Sequence, residues 1–273
     1  MIFDKEEDAL NWYESQERVL TKNFLDTIPW KDVSNYELDE KFIPVLIYMR
    51  DIEKYTTVYY DELLRTPTGR DPIIRKFMDR WSAEESLHGD LLNRFLNETG
   101  QSTPKNWYEN FKKSVKKNAF IVSRARHLIT NCFGEKFSAV HMTWGAINEL
   151  TTLTGYQRLW QLARHPTLEY ILRAIAREEA RHQFFYWSIA RIKLVNSPFA
   201  RKLARFIIKH FWEPVGQDAK TIHETNYLIS TLFNGIPGVQ IMDRQVNRRI
   251  EELPGFLNTK IITNRIAQAA IKV

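Results

Sequence analysis

With a single cysteine, Cys132, the chain can form no intrachain disulfide, and its cysteine usage calls for no oxidising compartment. Glycine and proline are scarce, ten of each in 273 residues, which disfavours a protein of many turns and strands and favours long helices. Long apolar runs are missing too. The longest charge-free stretch, Thr225 to Met242, is broken by Asn234, Gly235, Pro237 and Gly238, which excludes it as a membrane span. The start, MIFDKEED, is acidic and has neither an apolar signal core nor an Arg-rich transit pattern, so a cytoplasmic protein is expected. Zinc-finger, RRM and helix-turn-helix patterns are absent, and nucleic acid is not an expected partner. No stretch alternates with period two, and none is of low complexity.

What is there reads as an ordinary globular composition, 44% hydrophobic and 26% charged, over a length that can bury a substantial core. The net charge of +6 gathers in runs: Lys112, Lys113, Lys116 and Lys117; Arg201, Lys202, Arg205 and Lys209; Arg244, Arg248 and Arg249. Taken singly, each reads as a solvated helix face; such clusters also attract acidic partners.

Helical spacing and its punctuation predict helices over 4–23, 41–65, 71–99, 134–164 and 166–195. A further stretch begins at Thr103-Pro104 and is interrupted before Gly134. Shorter helices follow from Ser197-Pro198, over about 218–233, and over 245–253. Asp71-Pro72 and Ser197-Pro198 are cap-plus-proline starts; Gly100 is a natural stop. The expected fold is all-α. A ferritin-like four-helix bundle occupies about 41–195, with an N-terminal helix at 4–23 and C-terminal helices over 197–273, in a single domain covering 1–273.

Two segments stand out in this frame, AEESLH at 83–88 and EEARH at 178–182. Each contains Glu-x-x-His, and a spacing of three puts both side chains on one helix face. With 21 Glu and 7 His in the chain, chance supplies about half of one such pair; there are two, each preceded by a second Glu. A lone Glu, Glu53 or Glu149, lies 32 or 30 residues before each pair's second Glu. Glu53, Glu85, Glu149 and Glu179 all fall near the middle of a predicted long helix, so an antiparallel bundle brings them to one level. Buried carboxylates at such a level need cations, and four carboxylates with His88 and His182 suit iron or manganese better than zinc. This is the ferritin-like di-metal carboxylate pattern. Asp51 is the alternative to Glu53. Glu84 and Glu178 lie about 100° round their helices from the metal-facing side, and Glu178 is suited to hydrogen-bond a ligand histidine. Thr56 and Thr152 sit three residues after the lone Glu residues, which turns Thr152 toward the metals, where its hydroxyl could guide protons or simply bond its own backbone.

At these residues the sequence resembles the soluble acyl-acyl carrier protein desaturases, the plant stearoyl type and their bacterial relatives. WSAEESLHGDLLNRFL is similar to that family's WTAEENRHGDLLNKYL, and REEARHQFFY to its second box, DEKRHETAY. VLIYMRDIEKYTTVYY and INELTTLTGY resemble, more loosely, its two lone-Glu helices. The resemblance runs from about Ala9 to Ile192. It implies metal ligands Glu53, Glu85, His88, Glu149, Glu179 and His182, and a catalytic Thr152 beside the oxygen-binding face. Trp12 stands where the family has a Trp that relays electrons through an acid, here Glu178, to a ligand histidine. Lys54, Leu150 and Thr57 depart from the family's acid, Arg and Pro, and bear on chain length and double-bond position.

The resemblance further implies an oxidoreductase that desaturates an acyl chain on acyl carrier protein. It would use two iron ions (manganese the alternative), O2 as co-substrate and electrons from a ferredoxin-type donor, and would act as a homodimer. The competing readings are another di-iron oxygenase on the same fold, a hydroxylase or N-oxygenase, or a non-enzymatic metal-binding protein.

Overall fold

The computed structural model describes residues 1–115 and 134–270; Lys116, Lys117, His127 and Cys132 lie outside them. In chain order the helices are α1 (Glu6–Ser15), α2 (Lys22–Asp26), α3 (Phe42–Leu63), α4 (Pro67–Arg70), α5 (Pro72–Glu98), α6 (Trp107–Ser114) and α7 (Ser138–Ala163). There follow α8 (Pro166–Asn196), α9 (Pro198–Phe211), α10 (Ile222–Leu232), α11 (Gly235–Met242), α12 (Arg248–Glu251) and α13 (Ile261–Ala270). Among the described residues there is no strand, and no helix is long and apolar enough to cross a membrane.

Proline places the starts of α5, α8 and α9. Asp71 accepts the N–H groups of Ile73 and Ile74 at 2.9 and 3.2 Å, with Pro72 in the first turn of α5. Before α8, His165 Nδ1 accepts Leu168 N–H at 3.3 Å and Pro166 follows; before α9, Ser197 accepts Ala200 N–H at 3.1 Å and Pro198 follows. In each case the proline's missing N–H is one that the first turn could not have used. Gly100, with φ +86, ends the α5 segment as expected.

Short connections make α3 and α5 one antiparallel pair and α7 and α8 another, and α5 packs across on α8. Ring stacking of Phe77 on Phe185 at 3.9 Å is part of that contact. Helix α7 carries only two charged residues, Glu149 and Arg158, and has no distinct polar face, the pattern of a helix enclosed by others. Helices α3 and α5 approach closely at Gly89. A Cβ there would lie 3.0 Å from Lys54 N and 3.1 Å from Arg50 O, so any larger residue beside His88 would push the two helix backbones apart by a few tenths of an ångström. Around the pairs, α1 lies on α5 and α8, α10 on α3 and α7, and α13 on α10 and α11. The architecture is the all-α ferritin-like bundle.

Three expectations need correction. The helix expected over 4–23 stops at Ser15 and resumes only at Lys22. Glu178 is the cause: its Oε1 takes the N–H groups of Val19 and Leu20 at 2.8 and 3.1 Å, and Arg80 Nη1 takes the carbonyl of Gln16 at 2.9 Å. Helical residues would have spent those groups on each other. The gap between the helices expected over 41–65 and 71–99 holds the one-turn helix α4. The helix expected over 245–253 is α-helical only over Arg248–Glu251; its first residues belong to a π-helical segment, Asp243–Asn247, that runs on from α11.

Candidate metal centre

The six expected ligands converge in the middle of the bundle. Two sets of four side chains each bring one donor atom per residue within 4.8 Å of all the others: Glu53, Glu85, His88 and Glu179, and then Glu85, Glu149, Glu179 and His182. Glu85 and Glu179 belong to both sets. Glu53 and His88 lie on one side of this shared pair and Glu149 and His182 on the other, so the two sets could hold an ion each. His88 Nδ1 lies 3.2 Å from Glu179 Oε1 and 3.5 Å from Glu53 Oε2; His182 Nδ1 lies 2.9 Å from Glu85 Oε1 and 3.6 Å from Glu149 Oε2. Such separations suit donors that share an ion at roughly 2 Å.

The donor atoms themselves carry the test of fit. Glu53 Oε2, Glu85 Oε1, both oxygens of Glu179 and the Nδ1 atoms of His88 and His182 are buried without a hydrogen-bond partner. An orphaned buried polar atom is costly. Six of them facing one another make sense as ligands of cations. Asp51 is not among them: Arg50 holds its Oδ1 at 2.7 Å and Lys220 its Oδ2 at 2.7 Å, which rules it out as the stand-in for Glu53.

Neighbours orient every end of the cluster. His88 Nε2 faces Glu178 Oε2 at 3.0 Å, and His182 Nε2 faces Glu84 Oε2 at 2.8 Å. Each Glu-Glu-x-x-His helix thus steadies the other helix's histidine. Glu84 is held in turn by Arg80 Nε at 2.7 Å and by the hydroxyl of Tyr13 at 2.9 Å. Trp81 Nε1 donates to Glu149 Oε1 at 3.0 Å, and the Tyr156 hydroxyl donates to Glu53. Sequence reasoning missed Glu84, Tyr13, Trp81 and Tyr156 as supports. Two had a signal: Trp81 precedes Glu85 by four residues and Tyr156 follows Glu149 by seven, both helix-face spacings.

Without cations the cluster is strongly self-repelling. Burial, with Glu179, Glu53 and Glu149 facing it, pushes the Glu85 carboxyl well above its ordinary range; burial and Glu53 do the same to Glu179. Burial alone would depress His88, but contacts with Glu178, Glu179 and Glu53 outweigh it and drive the imidazole well up. His182 is raised likewise, against burial, by Tyr13, Glu149 and Glu84. Glu84 resists burial: hydrogen bonding to His182 and then to Arg80 holds its carboxyl at about 2.

Next to Glu53 lies a narrow apolar slot of about 70 Å³. Met49 and Ile52 of α3, Thr152 and Gly155 of α7, Leu228 of α10, Met242 and Ile266 are among the residues that wall it. Thr152 is therefore on the slot wall beside Glu53, while Thr56 spends its hydroxyl on the carbonyl of Glu53. Trp12 packs edge-on against Phe184 at 4.5 Å and lies 6.4 Å from Phe3; the donors on Glu178 Oε1 come from Val19 and Leu20.

Residues 48–204, more than half of the chain, match the family model described as fatty acid desaturase. Curated proteins from two strains of Mycobacterium tuberculosis, both named "Putative acyl-(acyl-carrier-protein) desaturase DesA1", are 24% identical over 203 residues, covering 69% of this chain. The match spans only 59% of those relatives' own length. No solved structure matches significantly.

Proposed function

The chain belongs to the fatty acid desaturase family, and from that premise we propose that it removes two hydrogens from adjacent carbons of an acyl chain held on acyl carrier protein. The observation that carries this reading is the apolar slot walled by Glu53 at one end of the carboxylate–histidine cluster. The donors fit a pair of iron ions, with manganese the alternative, held by Glu53, Glu85, His88, Glu149, Glu179 and His182. When bound, the pair supplies oxygen activation. The overall balance is one O2, two electrons and two protons consumed, one carbon–carbon double bond and two waters formed.

The chain's own residues do the rest. The slot lays an apolar chain against Glu53 and excludes water from the reacting carbons. Thr152, on that wall, is placed to pass a proton at its hydroxyl. Glu178 and Glu84 fix which nitrogen of each imidazole faces the cluster. Electrons come from a ferredoxin-type donor, with Trp12 and Glu178 as the entry side. Met242 and Ile266 from the C-terminal helices line the same slot, so we read 1–273 as one functional unit. We place it in the cytoplasm, as a homodimer.

The test is product analysis. Iron-loaded protein, ferredoxin, its reductase, NADPH, oxygen and acyl-acyl carrier proteins of several lengths are incubated together, and the chains are read by mass spectrometry. Product lighter by two hydrogens is expected. Hydroxylated chains in its place, or no product from any length, overturn the proposal.

A further inference from the structure

Three basic runs could meet an acidic partner, and they differ in what already neutralises them. Lys112 of α6 pairs with Glu109 at 2.7 Å. Arg248 faces Asp243 at 3.8 Å and Arg249 pairs with Glu252. Helix α9 is different. It carries Arg201, Lys202, Arg205 and Lys209 and no acidic residue, and among the described residues none of the four has a carboxylate within ion-pair distance. Lys202, Arg205 and Lys209 are exposed.

The exposed face of α9 is also apolar at its centre. Phe206 is 54% exposed, with Lys202 four residues before it and Lys209 three after, all on one side of the helix. Phe211, 57% exposed, closes the far end of the helix 6.2 Å from the Phe206 ring. An aromatic anchor ringed by cations is the composition of a recognition surface for a negatively charged protein. The place is apt. The chain leaving α9 runs directly into Trp212, Pro214 and Val215, which wall the slot beside Glu53, and Trp212 is pinned to Asn148 of α7 at 3.2 Å.

We propose that the exposed face of α9 is the docking site for the acidic carrier protein, with Lys202, Arg205 and Lys209 on its carboxylates and Phe206 packed at the centre of the contact. This rests on the desaturase reading above and adds the surface by which the substrate is delivered. Opposite charge across the contact speeds encounter and makes it sensitive to salt.

The test measures binding of acyl carrier protein without an acyl chain to the iron-loaded protein, by fluorescence anisotropy at two salt concentrations. The triple variant Lys202→Glu, Arg205→Glu, Lys209→Glu should raise Kd at least tenfold and flatten its salt dependence, and Phe206→Ser should raise it several-fold. Lys112→Glu with Lys113→Glu should stay within twofold of the parent. Helix content, melting temperature and iron content of each variant are checked in parallel, and the α9 variants should raise KM for the carrier-borne substrate while kcat at saturation is kept. Wild-type binding that survives the α9 variants, or that is lost in the α6 variant instead, overturns the docking site and leaves the desaturase reading intact. Binding through α9 to phosphatidylglycerol vesicles and not to the carrier protein also overturns it. No binding and no turnover with any carrier-borne chain removes the reading on which it rests.

Discussion

Glu84 of α5 reaches across the bundle to hold His182 of α8 at 2.8 Å, although its own sequence neighbour is His88. Glu178 reciprocates at 3.0 Å. Both carboxylates are buried, and each touches an imidazole on the nitrogen that faces away from the cluster. Glu84→Gln or Glu178→Gln should weaken metal binding by about 10–100-fold while leaving all six donors in place. Competitive metal titration reads this directly; unchanged affinity in both variants would mean that the crossed contacts do not set the histidines.

His88→Ala and His182→Ala should each lower bound iron with helix content largely kept, because each removes one donor while the capped helix starts and the apolar contacts between the helices remain. Elemental analysis with far-ultraviolet circular dichroism decides. About two iron ions per chain retained in both variants would refute the ligand assignment.

Metal loading should release protons. In the metal-free cluster burial and neighbouring carboxylates push Glu85 and Glu179 up, contacts with Glu178, Glu179 and Glu53 push His88 up, and Tyr13 with Glu149 and Glu84 pushes His182 up, so these donors hold their protons to higher pH than free carboxyls and imidazoles do. A cation must displace them, and affinity should therefore fall as pH is lowered. Calorimetric titration in buffers of differing ionisation enthalpy checks the sign; identical heats in every buffer count against it.

Asp51 offers a control on the site. It lies between Arg50 and Lys220, all three nearly inaccessible, and Arg50 also stacks on Trp107 at 4.3 Å. Asp51→Ala takes away the carboxylate that two buried cations share, leaving Lys220 to Glu224 at 3.3 Å and Arg50 to the amide oxygen of Asn93 at 3.2 Å, and should cost about 3 kcal/mol in chemical denaturation. Iron content of the folded variant should equal that of the parent. A loss of metal would return Asp51 to the ligand set.

Gly155 is where the slot can be narrowed. A Cβ there would lie 3.1 Å from the tip of Met49, itself on the slot wall, so Gly155→Leu must push the Met49 side chain and fill the cavity. Removing a mid-helix glycine favours the helix by up to about 1 kcal/mol, while overpacking a core costs about 1–3 kcal/mol, so a modest loss of stability with the fold kept is expected. Turnover of long acyl chains should drop with iron content unchanged. Equal turnover of every chain length would show that the chain does not lie along Gly155.

How far the chain can be read in advance depends on whether cause and effect lie close in sequence. The helix starts at Pro72, Pro166 and Pro198 were legible because cap and proline are adjacent residues. The six converging donors were legible because a spacing of three and a mid-helix position both survive folding unchanged. The break after Ser15 was not. Its cause, the carboxylate of Glu178, is 159 residues from Val19. Nor was the fate of Asp51, whose partner Lys220 is 169 residues away in the segment before α10. The slot needed the C-terminal helices, where no motif pointed to any role, and only three-dimensional proximity set Met242 and Ile266 beside Glu53.

The unwound segment that gives the N–H groups of Val19 and Leu20 to Glu178 ties the N-terminal arm to His88 through a single carboxylate. Binding energies coupled through a shared group are reciprocal. Whatever strengthens the hold of Glu178 on His88 must also change the hold of Glu178 on the arm, so amide exchange at residues 19 and 20 becomes a remote gauge of metal occupancy. By the same reciprocity, a protein that grips the arm alters metal affinity without approaching the cluster.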